Sequence, residues 1–258
     1  MAELKGTSFE KSVGAKSLAD LRARSADDLL AASMKPNAVH FGADVDGYFL
    51  PEPVSSSYRD EMESHVPLLA GWNADEGGAD AIFGKEKPGI KAWAKQVKAL
   101  YPLKSEAVLK AYPASNDAEA IRAAADLAGD RFIAYATWKW IEMHLATAKS
   151  PVYRYQFDQA PPMPAGKESA GAYHSADIEY VFQTLPSKNL PWRPEDTKLS
   201  DLMSAYWTNF AKTGDPNGEG LPKWPEYKEG SYQVLHLSAQ PAASPDLHRD
   251  RYQVLDQY

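Results

Sequence analysis

Apolar positions along the chain alternate between helical and strand spacing. Residues 17–33 read as two short helices, with Ser17 capping Leu18 and Leu21 and Ser25 capping Leu29 and Leu30. The segment 45–50, Val-Asp-Gly-Tyr-Phe-Leu before Pro51, reads as a short strand or a turn. Residues 67–71 form an apolar run that breaks into Trp-Asn-Ala-Asp-Glu-Gly-Gly, the pattern of a buried strand delivering a loop. Helices are predicted over about 88–100, 104–111 and 116–148. The last places Phe132, Tyr135, Trp138, Ile141 and Leu145 on one apolar face and stops before Pro151. Residues 152–157 alternate as a half-buried strand and lead into a Pro/Ala/Gly-rich loop over 159–173. Leu199, Leu202, Met203, Tyr206, Trp207 and Phe210 make a helical stripe, ended at Gly214, and residues 232–237 form a further strand. Strands alternating with helices predict an α/β architecture with a mainly parallel sheet, although four strands are few for 258 residues.

Composition narrows the chemistry. A formal net charge of -7, with Lys and Arg scattered, leaves no basic stripe for nucleic acid or for an anionic membrane. The absence of cysteine excludes disulfides, thiolate metal sites and Cys nucleophiles. No apolar run approaches the roughly 20 residues of a membrane-spanning helix, and residues 1–5 lack the apolar segment of a signal peptide.

Two positions suit catalysis. Glu76 sits on a Gly-flanked loop after a buried strand, where open α/β sheets place functional groups, although Asp75-Glu76-Gly77-Gly78 also reads as a solvated turn. His174 follows the next strand and its loop. Its imidazole suits general-base work, or equally a helix cap or packed polar role. Acid before histidine, each after a strand, is the order that α/β-hydrolases use. His144 falls on an apolar helix, and His40, His65, His236 and His248 lack metal-ligand spacing, so no metal or cofactor is expected. The nucleophile elbow G-x-S-x-G is absent. Ser8 sits in a predicted helix. Ser169 lies in a flexible loop, with Lys167 where the elbow needs its first glycine, and reads as a decoy. No H-G-G-type oxyanion loop occurs either.

Four segments, in order, then resemble one family. They are Val45–Pro51, Asn73–Gly77, Gly171–Phe182, and Tyr206–Asn217 followed by Trp224-Pro225. Together they are similar to the type-B carboxylesterases, which include para-nitrobenzyl esterases, cholinesterases and the non-enzymatic neuroligins. The resemblance implies the C-terminal half of an α/β-hydrolase fold, with residues 1–258 as the C-terminal portion of a single domain. It implies that Glu76 is the triad acid and His174 the triad base of a serine esterase. The serine and the oxyanion hole would come from an N-terminal half preceding Met1, the expected partner, and this chain alone would be inactive. Cholinesterases carry aromatic residues after the acid, where this chain has Ala79 and Asp80. The implied substrate is therefore a small uncharged carboxylic ester rather than a choline ester. Phe83, Tyr180 and Phe182 could line its pocket or belong to the core. A non-catalytic, neuroligin-like recognition module is the alternative, and retention of both Glu76 and His174 speaks against it. The expected setting is soluble, in a bacterial cytoplasm or periplasm.

Overall fold

The computed structural model describes residues 2–257, and the chain divides into two compact units between Asp60 and Glu61. The first unit is helical: α1 (Ala2–Ser12), α2 (Leu18–Arg22), α3 (Ala26–Ser33) and α4 (Val54–Arg59). Both expected serine caps are present, Ser17 Oγ accepting from the Asp20 N–H and Ser25 Oγ from the Asp28 N–H. The 45–50 segment resolves as a turn. Asp46 Oδ1 accepts from the backbone N–H groups of Tyr48, Phe49 and Leu50, and those donors hold its carboxyl below the usual range. Gly47 supplies the left-handed φ of 75° that this turn needs.

The second unit carries the sheet. Its elements are β1 (Leu68–Asn73), α5 (Asp80–Phe83), α6 (Ile90–Leu100), α7 (Ser105–Ala111), α8 (Asp117–Gly129), a π turn (Asp130–Ala134), α9 (Tyr135–Thr147), β2 (Val152–Phe157), α10 (Ile178–Val181), α11 (Pro194–Thr213), β3 (Gln233–Leu237), β4 (Ala242–Pro245) and α12 (Arg249–Asp256). The sheet order is β1-β2-β3-β4, with the first three parallel and β4 antiparallel to β3. This is an α/β arrangement with a mainly parallel sheet and flanking helices, as the strand and helix spacing predicts. The fourth strand is β4 rather than 45–50. Ala-Ala-Ser-Pro has no apolar alternation, and its strand character comes only from pairing with β3.

Strand alternation sorts side chains to two faces. Leu68, Ala70 and Trp72 of β1, Val152 of β2 and Val234 of β3 pack with Trp138 and Ile141 of α9 and Tyr252 of α12. Tyr153, Phe157, Leu235 and Leu237 face the other way, onto Leu199, Met203 and Tyr206 of α11 and onto Trp224. A third cluster joins Phe83, Trp93, Val97, Val108, Tyr112 and Leu127 of the helices between β1 and β2.

The expected helix over 116–148 is interrupted. Asn116 caps α8 by accepting from the Glu119 N–H, and the helix then widens into the π turn before α9 ends short of Pro151. The π turn carries buried Asp130 and leaves Phe132 59% exposed. Phe132 therefore does not lie on the buried face with Trp138 and Ile141. Single-turn π insertions shift helical phase in this way and recur at functional sites.

Candidate active site

β1 and β2 run parallel in register, Leu68 opposite Val152, so their carboxyl ends deliver two loops side by side. Beyond β1 the chain keeps pairing. The Asp75 N–H donates to the Ala172 carbonyl at 3.0 Å, and Asp75 forms a parallel bridge with Tyr173. This one contact sets Glu76 and His174, each a single residue further on, beside one another.

His174 Nδ1 lies 2.7 Å from Glu76 Oε2, across 98 residues of sequence. A carboxylate only accepts, so Nδ1 carries the proton, and in the neutral imidazole Nε2 is then the acceptor. The Glu76 side chain is 4% exposed, while that of His174 is 50% exposed. Glu76 Oε1 accepts from the Asn73 N–H at 2.8 Å, so one carboxylate oxygen is fixed by its own strand and the other by the histidine. Buried Asn73 extends this support, its Nδ2 donating to the Tyr173 carbonyl and to Asp177 Oδ1, on either side of His174 in sequence. Tyr155 of β2 donates to the other Asp177 oxygen, and burial first, then that carboxylate, drives its phenol well above the usual range.

Close approach shapes the acid loop. A Cβ on Gly77 would stand 2.4 Å from the Gly129 backbone nitrogen, at the junction of α8 and the π turn. Gly77 thus lets the strand-end loop lie directly against helix backbone. The π turn contributes Phe132, whose ring meets the His174 imidazole edge to face with centroids 5.0 Å apart.

The pair borders an open depression of about 700 Å³, lined also by Asp75, Arg122, Ser169, Gly171 and Tyr173. Behind Glu76 is a small polar cavity of about 70 Å³, whose lining includes Asn73, Asp130, Gln156, His248 and Arg251. Burial pushes the Asp130 carboxyl up to about 7 although the Tyr112 hydroxyl donates to it at 2.7 Å. Burial, and then Arg251, lowers His248, favouring its neutral form.

Of the residues expected from sequence, Glu76 and His174 are brought together. The three pocket candidates are not brought to the depression beside them. Phe83 packs in the helical cluster. Tyr180 is fully buried and donates to Asp196 at 2.8 Å. Phe182 is 71% exposed at the end of α10. Ser169 borders the depression, in a loop without strand or following helix, and its Oγ accepts from the Gly171 N–H at 3.2 Å. His236, which stands alone in sequence, pairs with Asp158 at 2.6 Å, and buried His144 meets the Val66 carbonyl at 2.9 Å. Among the described residues, no group of three His, Asp or Glu side chains could hold a metal ion.

Asn73, Asp177, Phe132 and Arg122 escaped the sequence reading as site residues. Asn73 carried a signal as the polar end of an apolar strand, and Asp177 lies only three residues after His174, within the Gly171–Phe182 segment. Phe132 and Arg122 reach the site from distant chain segments.

Compared with known proteins, residues 1–255 match the model of the carboxylesterase family. Carboxylesterase 5A of Canis lupus familiaris is 32% identical over 235 residues, which cover 84% of this chain and 40% of that protein. Cocaine esterase of Homo sapiens is 28% identical over 251 residues, 90% of this chain and 44% of that protein. Bile salt-activated lipase of Homo sapiens is 46% identical over 78 residues, 30% of this chain and 10% of that protein. The chain thus spans less than half the length of these curated relatives. All three are animal proteins and lend no support to a bacterial setting. Among the described residues, no helix is long and apolar enough to cross a membrane.

Proposed function

The chain belongs to the carboxylesterase family, and on that premise we propose that it supplies the acid and the base of a Ser-His-Glu triad in a carboxylic-ester hydrolase. The observation that carries the reading is the 2.7 Å contact between Glu76 Oε2 and His174 Nδ1, made between the ends of two adjacent parallel strands.

In this reading His174 Nε2 takes the proton of a serine hydroxyl as the oxygen attacks the ester carbonyl. Glu76 fixes the imidazole tautomer and stabilises the imidazolium as it forms. The imidazolium then protonates the departing alkoxide, and a water activated by the same nitrogen releases the acid. The half-exposed His174 ring leaves room for these partners, while buried Glu76 stays shielded from water. The serine and the oxyanion donors come from a nucleophile-bearing half of the esterase, because G-x-S-x-G occurs nowhere in the 258 residues. The substrate is a small uncharged carboxylic ester. Exposed Asp80 and neighbouring Ala79, just past the acid, give a cationic alcohol group no aromatic face.

This reading assigns Ser169 no catalytic part. A fluorophosphonate probe, which reacts with activated serines, is expected to leave this chain unlabelled when it is incubated alone. An adduct at Ser169 that disappears in Ser169→Ala would overturn the division of the triad.

A further inference from the structure

We propose that Asp75, clamped by Arg122, is a positioning residue that holds the His174 loop in register with Glu76. The inference rests on the acid–base reading of Glu76 and His174 and extends it to the neighbouring carboxylate.

Asp75 ties three segments together. Its backbone N–H donates to the Ala172 carbonyl at 3.0 Å, and its Oδ2 accepts from the Ala172 N–H at 2.9 Å. Both polar groups of the residue two before His174 are therefore satisfied by the residue just before Glu76. Its Oδ1 accepts from Arg122 Nη1 at 2.8 Å. Arg122 is itself oriented, with Nε 2.7 Å from Asp126 one turn along α8, and Asp126 is paired in turn with Arg251 of α12 at 3.0 Å. The line from α12 through α8 to the two strand-end loops is one of alternating charges. Each carboxylate along it takes a charge-assisted hydrogen bond, the stronger class of such bonds.

Gly171 adds an independent sign that the carboxylate must reach this far. It has a left-handed φ of 69°, and a Cβ there would stand 2.2 Å from Asp75 Oδ2. Only glycine leaves the space through which that oxygen meets the Ala172 N–H.

The chemistry predicts how the tie fails. In Asp75→Asn one oxygen remains for two donors, so either the Ala172 N–H or Arg122 faces an amide NH2. Arg122→Met removes the clamp from the outside, at a side chain that is 59% exposed, and leaves the core intact. In either variant the His174 loop loses its fixed distance from Glu76.

The test observes the His174 Nδ1–H proton by NMR in the 15N-labelled chain and measures its exchange with water. The native chain is expected to show a protected Nδ1–H. Both variants should exchange it roughly 10- to 100-fold faster, the factor lost with one charge-assisted hydrogen bond, while cooperative melting is retained. If Asp75→Asn does not fold, Arg122→Met carries the test. In the assembled esterase the same variants should lower kcat, on the order of 10²-fold for a misplaced base, and leave KM unchanged. A protected proton whose exchange is unaltered in the folded variants overturns the role of Asp75 alone. No protected Nδ1–H in the native chain overturns the Glu76–His174 pair beneath it.

Discussion

Glu76→Gln is expected to cut turnover of the assembled esterase by roughly 10³- to 10⁴-fold, close to the loss known for amide replacement of a triad acid. The reason is local. The carboxylate accepts on both oxygens, from the Asn73 N–H and from His174 Nδ1. A glutamine has one acceptor for these two donors. Because the Asn73 N–H is fixed by its strand, the amide oxygen settles there and the NH2 group turns to the histidine. An NH2 facing Nδ1 requires a bare nitrogen, which moves the imidazole proton to Nε2, where the serine proton should go. The variant keeps its shape and loses its base. NMR of the imidazole nitrogens in this chain checks it without any activity. The native Nδ1–H form should convert to Nε2–H in Glu76→Gln, and retention of Nδ1–H would contradict the explanation.

The second large effect concerns stability. Arg154 of β2 is 1% exposed, pairs with Asp246 and lies 4.0 Å over the Trp72 ring. Asp246 is equally buried, with a side chain 2% exposed. Arg154→Met keeps an unbranched apolar stem under the Trp72 ring but takes the cation from the buried Asp246 carboxylate, which keeps the Tyr227 hydroxyl and the His248 N–H as donors. Breaking a buried pair from one side costs about 3–5 kcal/mol, because the remaining charge keeps its desolvation cost. Against the roughly 5–15 kcal/mol of a typical domain, that is a large share of the whole. Urea unfolding should register the loss as a lower midpoint. Adding Asp246→Asn should recover much of it, since the orphaned charge is then gone. Equal midpoints for native and Arg154→Met proteins would show that the pair carries no such weight.

The sequence made the parallel strands legible because β1 to β3 are bounded by turn residues and alternate or run apolar. The two serine caps and the helix of Leu199 to Phe210 follow equally simple local rules. β4 was illegible, since Ala-Ala-Ser-Pro takes strand form only from its neighbour. The π turn was hidden for another reason. A π turn of five residues, Asp130–Ala134, leaves the apolar spacing of the long helical stretch nearly unchanged, yet it takes Phe132 out of the core and sets it against His174. Glu76 and His174 could be suspected one at a time, from their places after strands, and were joined by family resemblance. The network around them was beyond local patterns. Asp75 reads as one more acid in a polar turn, and Arg122 as a solvated helix residue, until the fold brings them within 2.8 Å across 47 residues. Phe83, Tyr180 and Phe182 show the same limit, because aromatic residues near a motif look alike in sequence whether they end in a core or on a surface.

The most direct test of the divided triad is hydrolysis of para-nitrophenyl acetate by this chain with and without the serine-bearing half of a carboxylesterase supplied in trans. Turnover is expected only with both chains present, and it should vanish when His174→Ala replaces the native chain. Turnover by this chain alone, or turnover by the pair that survives His174→Ala, would contradict it.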